Sequence, residues 1–290
     1  MKDAMHLKTR LVGLIGHPVR HTYSPFIHNV AFELTGLDYM YLPFNVVPAN
    51  LKSAIKGLVA LGFRGFNVTI PHKVKVKEFM SKVSEEASMV GAINTVLVEE
   101  GKLFGYNTDV AGVLESLYSF KKEISGNECV VIGAGGSARA VIYTLIKHFR
   151  PSKIHLVNRT EQRAETLRQF FKTKMKYDSF TVNELMPPDI KDNIRNSSLV
   201  VNATSVGMYP ENDDAVLTQK DIFTKNQIVF DLVYNPAETK LLKLAQSSGA
   251  KTVDGIKMLV NQAAKSFEIW TGEKMPTEQV EKALLLKLGK

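Results

Sequence analysis

Short apolar runs alternate with stretches whose apolar residues recur at helical spacing along almost the whole chain. "TRLVGLIG" (Thr9 to Gly16) reads as a buried strand, and "SPFIHNVAFELTG" as the helix after it, with Ser24 as cap, Pro25 in the first turn and Gly36 as stop. "YMYLPFNV" predicts a strand, "ANLKSAIKGLVALGF" a helix, and "GFNVTI" a strand that Pro71 ends. "AINTVLVEEGKLFGYNTD" predicts a hairpin turning at Glu100-Gly101. After the helical "VAGVLESLYSF" the alternation starts again. "ECVVIGAGGSARAVIYTLIKHF" is strand, glycine turn and helix, "KIHLVNRT" a strand and "EQRAETLRQFF" a helix. "SLVVNATSVGM", "QIVFDLVYNP", "ETKLLKLAQSSG" and "KTVDG" continue it, a helix runs from about Ile256 to Trp270, and another closes the chain.

Two such runs predict an α/β protein of two open α/β domains with a cleft between them. The first domain takes residues 1–110 and is completed by C-terminal helices in 260–290; the second, Rossmann-type, takes 111–259. In open α/β sheets ligands bind beyond the carboxyl ends of the strands. The unusual polar phrases fall at those ends: "VRHTYSP", "NVTIPHK", "GAINT", "GYNTD", "GAGGSA", "NRT", "NATSVGM" and "VYNP".

Composition removes several functions. With 290 residues, 44% of them hydrophobic, the chain can fill one large core or two modest ones. No apolar run approaches the roughly 20 residues that span a bilayer, and the N-terminal apolar stretch is too short for a signal-peptide core. The single cysteine, Cys129, allows no internal disulfide and suits a cytoplasmic home. The net charge of +8 is scattered, with no basic block and no nucleic-acid motif, so it suits a small anionic substrate and a phosphate-bearing cofactor better than nucleic acid. His17, His21 and His28 are close in sequence, but Pro18 and Pro25 break any shared helical face; no metal site is expected.

"GAGGSA" carries the first chemistry. In G-x-G-x-x-A after a strand, Gly133 permits a tight turn, Gly135 lets a pyrophosphate approach the backbone, and Ala138 lets helix and strand pack closely. At the end of the next strand, where an NAD site places a carboxylate, stands "NRTEQR". Arg159 beside Thr160, with Arg163 four residues on, would attract a 2′-phosphate, so NADP is favoured; Glu161 between the arginines leaves NAD open.

A nicotinamide oxidoreductase also needs a group that exchanges a proton with the substrate oxygen. Lys73 qualifies by its place after Pro71, and Asp109 of "GYNTD" is a partner carboxylate. Spacing alone favours a solvated lysine, because "KVKVKEFMSK" holds further lysines.

Taken together, "HTYSP", "NVTIPHK", "GAINT", "GYNTD", "GAGGSARA", "NRT", "NATSVGM", "YNP" and "DGIKMLVNQAAKSF" resemble the shikimate dehydrogenase family, its quinate-using branch included. They occur in the family's order from about Gly16 to Phe267. The resemblance implies reversible, NADP-dependent reduction of 3-dehydroshikimate to shikimate in aromatic amino acid biosynthesis. Lys73 would be the acid/base and Asp109 its partner and a substrate ligand. Thr22, Ser24, Thr69, Asn94, Tyr234 and Gln262 would hold the substrate, with Thr22, Ser24 and Tyr234 at its carboxylate. Gly133, Ala134, Gly135, Gly136, Ser137, Asn158, Arg159, Thr160 and Arg163 would hold the cofactor, its nicotinamide end near Leu232, Gly255 and Met258. Thr22 stands where the family usually has serine, which leaves quinate, with NAD, as the alternative reading. A homodimer is left open.

Overall fold

A computed structural model describes residues 8–219 and 221–289. The N-terminal reading against a signal segment begins in residues 1–7, outside that range. The chain divides into two compact units, Met1–Thr108 with Val260–Lys290, and Asp109–Leu259.

The first unit opens with β1 (Arg10–Gly16), α1 (Ser24–Thr35), β2 (Tyr39–Asn45), α2 (Leu51–Ala60) and β3 (Gly65–Val68). The short β4 (Lys82–Val83), α3 (Glu85–Val90), β5 (Thr95–Glu99) and β6 (Lys102–Tyr106) follow. The six strands form one sheet in the order β2-β1-β3-β5-β6-β4. β2, β1 and β3 run parallel, β5 pairs antiparallel with β3 and β6, and β4 is parallel to β6. The β5–β6 hairpin turns at Glu100 (φ 50°) and Gly101 (φ 71°), the pair of positive angles a two-residue turn needs to match strand twist. Phe63, Phe66, Val68, Ile93 and Val96 pack one buried cluster with Ile55 and Leu58 of α2.

Two local readings are corrected. Ser24 does not cap α1: Tyr23 holds the cap position, and the Ser24 N–H is taken by the Thr22 hydroxyl at 3.2 Å. β3 also ends at Val68, before Thr69 and Ile70: the chain enters a turn there, closed by the His72 N–H on the Thr69 carbonyl at 2.9 Å, and Ile70 faces solvent (52% exposed).

The second unit contains α4 (Asp109–Leu117), α5 (Lys121–Ile124), β7 (Glu128–Ile132), α6 (Gly136–Thr144), β8 (Lys153–Asn158), α7 (Glu161–Met175) and β9 (Phe180–Glu184). It continues with α8 (Pro187–Asn196), β10 (Leu199–Asn202), β11 (Ile228–Asp231), α9 (Lys240–Ser247) and β12 (Lys251–Val253). Every strand pairing is parallel, and the order is β12-β11-β10-β7-β8-β9. Counted from β7 this is 6-5-4-1-2-3, the doubly wound dinucleotide-binding order, with its switch point between β7 and β10. β7, β10 and β11 are buried apolar runs, as a sheet covered on both faces requires. Cys129 lies in β7, and burial pushes its thiol up to about 12, which keeps it protonated and inert.

The chain then enters α10 (Gly255–Thr271) and α11 (Thr277–Lys287). From Val260 onward α10 belongs to the first unit, where Trp270 donates its indole N–H to the Val96 carbonyl at 3.0 Å. Trp270 also covers His28 of α1, at 5.2 Å between ring centroids, while Tyr41 stacks on the same imidazole at 4.5 Å. His28 is fully buried, and desolvation lowers its pKa from 6.5 to about 3. The unfolded chain therefore binds a proton below pH 6.5 that the folded chain refuses until about pH 3. Stability is therefore lost as the pH is lowered through that window, by up to about 1.4 kcal/mol per pH unit. We expect His28→Phe to flatten the acid limb of a urea-unfolding series between pH 6.5 and 3. Parallel wild-type and variant curves would show that His28 does not set that slope.

Candidate active site

In the first unit the polar phrases converge on Asn67, the last but one residue of β3. Its amide nitrogen donates to the Asn94 carbonyl (3.0 Å) and lies within bonding distance of the Thr95 (2.9 Å) and Ser266 (3.0 Å) hydroxyls. Its oxygen accepts from the Tyr41 hydroxyl (2.9 Å). The side chain of Asn94 joins this network: its oxygen accepts the Thr108 N–H (2.7 Å), and its nitrogen donates to the Thr108 hydroxyl (2.9 Å) and reaches Gln262 Oε1 at 3.5 Å. Buried amides and hydroxyls keep this arrangement because each partner lost would leave a desolvated group unpaired.

The main chain of "NVTIPHK" is pinned in sequence. Val68 N–H donates to Asn94 O, Thr69 N–H to Ile15 O, and His17 N–H to Ile70 O. His72 N–H donates to Thr69 O, and the His72 ring nitrogen lies 2.7 Å from the Val46 carbonyl. Lys73 receives the Ile93 N–H on its own carbonyl at 2.7 Å, and its side chain is half-buried. Two consecutive residues, Ile93 and Asn94, thus hold both the backbone of Lys73 and that of Thr108, the residue before Asp109. Asn107 adds a bond to the Ala92 carbonyl at 2.9 Å. Asp109 starts α4 and is 3% exposed.

Other expected substrate residues fall around the same phrases. The Thr22 and Ser24 hydroxyls are 3.2 Å apart at the start of α1. Thr69 is half-buried immediately after β3, and Gln262 is half-buried on α10. Tyr234 lies in the second unit, half-buried beyond β11. The structure brings Asn94 to Gln262 and Thr22 to Ser24. Sequence reasoning missed Asn67, Thr95, Thr108 and Ser266, although the polar residues inside otherwise apolar "GFNV" and "INTV" were the available signal.

In the second unit, Gly133 follows β7 at the switch point with φ 114°. A Cβ there would lie 3.1 Å from the Ala203 carbonyl oxygen, so both conformation and space call for glycine. At Gly135 an added Cβ would meet nothing within 4 Å. Protein packing does not demand glycine at that place, whereas close approach of a ligand would. Gly135 holds the cap position of α6 and supplies no side-chain bond; Gly136 and Ser137 open the helix, and Ala134 is half-buried beside them.

At the tip of β8, Asn158 donates to the Thr160 carbonyl at 2.8 Å, and Thr160 holds the cap position of α7 without a capping bond from its hydroxyl. Arg159 and Arg163 are exposed, and among the described residues neither forms an ion pair. This cradle fits a dinucleotide whose adenosine end carries an extra phosphate. Leu232 is half-buried beyond β11, and Gly255 packs so closely on it that a Cβ would lie 2.5 Å from the Leu232 oxygen. Met258 is buried one turn further along α10. Behind these loops lies Asp231, which sequence reasoning missed. Burial pushes its carboxyl up to about 6, although Thr239, Val233 and Asn202 all donate to it and pull the other way. Among the described residues no group of three His, Cys, Asp or Glu could hold a metal, and no helix is long and apolar enough to cross a membrane.

We expect Asn67→Ala to cost about 2–4 kcal/mol, because it strips the Tyr41 hydroxyl and the Asn94 carbonyl of a shared partner. Urea unfolding of the variant checks this; a loss under about 0.5 kcal/mol would remove Asn67 as the hub.

Residues 14–96 match the profile described as the shikimate dehydrogenase substrate binding domain. Residues 116–258 match that of shikimate / quinate 5-dehydrogenase, and 255–285 that of the shikimate 5′-dehydrogenase C-terminal domain. Shikimate dehydrogenase (NADP(+)) from Caldanaerobacter subterraneus subsp. tengcongensis is 42% identical over 267 residues, 91% of this chain and 92% of its own. The enzyme of the same description from Methanocaldococcus jannaschii is 39% identical over 99% of this chain and 100% of its own. A crystal structure of shikimate dehydrogenase in complex with NADP+ superposes with a TM-score of 0.89 at 39% identity, covering 99% of this chain and 98% of that one.

Proposed function

The chain belongs to the shikimate dehydrogenase family, and on that premise we propose that it interconverts 3-dehydroshikimate and shikimate with NADP, Lys73 exchanging the proton and Asp109 serving as its partner. In the oxidising direction a C–H and an O–H bond of the substrate break and a ketone forms. Bound NADP supplies the acceptor of the hydride. Lys73 accepts the hydroxyl proton at its Nζ in this direction and returns it to the ketone oxygen in the other. The carboxylate of Asp109 orients the ammonium and a neighbouring substrate hydroxyl.

The observation that carries this reading is the pair of consecutive residues Ile93 and Asn94, which fix the Lys73 backbone and the residue before Asp109 at 2.7 Å each. A long flexible side chain contributes usefully to proton transfer when its base is fixed and its tip has a polar partner. Thr22, Ser24, Thr69, Asn94, Tyr234 and Gln262 are hydroxyl and amide groups, suited to the carboxylate and hydroxyls of a polyhydroxy acid. For the cofactor, Gly133 to Ser137 would take the pyrophosphate and Asn158, Arg159, Thr160 and Arg163 the adenosine phosphate. Leu232, Gly255 and Met258 would border the nicotinamide. The two relatives are NADP enzymes by description, which supports the phosphate reading of Arg159 over an NAD site and the shikimate reading over the quinate alternative. The reaction places the protein in aromatic amino acid biosynthesis.

We expect Lys73→Ala to lower kcat for shikimate by about 10²–10⁴-fold with the dissociation constant for NADPH little changed. Nicotinamide absorbance and fluorescence titration measure the two, and wild-type turnover in the variant would remove Lys73 from the proton step. Arg159→Ala is expected to weaken NADP by about 1.5–3 kcal/mol and leave NAD alone, as loss of a charged hydrogen bond to phosphate requires. Equal losses for both nucleotides, read as kcat/KM, would show that no 2′-phosphate is met there.

A further inference from the structure

We infer that Asp231 is a positioning residue for the nicotinamide half of the cofactor, fastening the loops after β10 and β11 into one piece; the inference rests on the NADP reading above. Asn202 and Asp231 are paired in register at the tips of adjacent strands. Asp231 Oδ1 accepts from Asn202 Nδ2 at 2.9 Å and from the Val233 N–H at 3.1 Å, and Oδ2 accepts from the Thr239 hydroxyl at 2.7 Å. Thr239 in turn caps α9 by accepting the Leu242 N–H at 3.3 Å. On the other side, the Asn202 oxygen accepts both the Thr204 N–H (3.1 Å) and its hydroxyl (2.7 Å), and the Asn202 nitrogen reaches the Val206 carbonyl at 3.3 Å.

One carboxylate therefore ties together the segment Ala203–Val206, the segment Leu232–Thr239 and the start of α9. Both segments border the proposed cofactor positions: Ala203 and Thr204 press on Gly133, and the Leu232 carbonyl presses on Gly255. Asp231 has no exposed surface. A side chain needed only to fill that space would be apolar, since a buried carboxylate is costly unless several donors surround it. Three donors do surround it, from the tip of β10, from Val233 just after β11 and from the cap of α9, and an apolar residue would release all of them. None of these groups need touch the cofactor; they hold the backbone that does.

The test compares two probes on the full chain: NADPH, which carries the nicotinamide, and adenosine 2′,5′-bisphosphate, which carries only the adenosine end. Fluorescence titration of NADPH and its displacement by the bisphosphate give both affinities. In Asp231→Ala, NADPH should weaken by about tenfold or more while the bisphosphate stays within about twofold. Asp231→Asn, which keeps the shape and the Oδ1 acceptor, should recover most of the loss. Thr239→Val removes one donor without touching the carboxylate and should weaken NADPH alone, by about threefold. Equal weakening of both probes, or of neither, in Asp231→Ala and Thr239→Val would overturn the inference. These are binding measurements, so they stand whether or not shikimate is turned over; a wild type that binds NADPH but leaves shikimate unoxidised would defeat the reaction assigned above and not this role of Asp231.

Discussion

The four hydrogen-bonding contacts of the Asn67 amide are the constraint on which the first unit's site depends. They draw on β2, the segment before β5, β5 itself and α10, so four parts of the chain have to be in register before any of them is satisfied. Apolar packing beneath is tolerant: Phe66 and Val68 could be exchanged for similar volumes at modest cost. A buried amide is not tolerant, because its geometry is directional and its unpaired state is expensive. Placing such a group beneath a site converts the stability of the core into precision at the surface. The return of α10 to the first unit fits the same network, in which Ser266 and Gln262 take part.

The second unit answers a different demand. Its expected ligand is a long anion, and anions are met by backbone N–H groups and helix ends that already point outward. Here precision lies in which residues are small and which helix starts are uncapped: Gly133 under the Ala203 carbonyl, Gly135 facing open space, α6 and α7 without side-chain caps. A directional hub of this unit, Asp231, lies below the loops and not among the groups proposed to meet phosphate.

Those contrasts decide what could be read from the sequence. The turn at Glu100-Gly101, the parallel strands and the glycine turn after β7 are local patterns, and local sterics enforce them wherever they occur. Ser24 was misread as a cap because the competing hydroxyl, Thr22, lies two residues earlier and the choice between them depends on the path of the chain into α1. β9 and α8 carried no expectation, since "YDSFTVNELMPPDIKDN" mixes strand formers with prolines and charges and shows neither period cleanly. Asn67 and Asp231 are harder still. An asparagine or aspartate in an apolar strand signals a buried polar group, but its partners, Ser266 for one and Thr239 for the other, are set by topology and not by spacing.

The lysine at the end of "NVTIPHK" follows from the same reasoning. A strand that continued through Ile70 would carry Lys73 onward along the sheet, and its ammonium would sweep a wide volume of solvent. Instead a turn begins at Thr69, closed by the His72 N–H on the Thr69 carbonyl, with Thr69, Ile70, His72 and Lys73 each fixed by a main-chain bond to Ile15, His17, Thr69 and Ile93 in turn. The four-carbon stem of Lys73 thus starts from a fixed base. Half-burial of the residue restricts the rotamers of that stem, at little electrostatic cost where the charge is kept at its tip. The backbone bonds around Lys73 are therefore what would let a base-fixed lysine serve the proton step proposed for it.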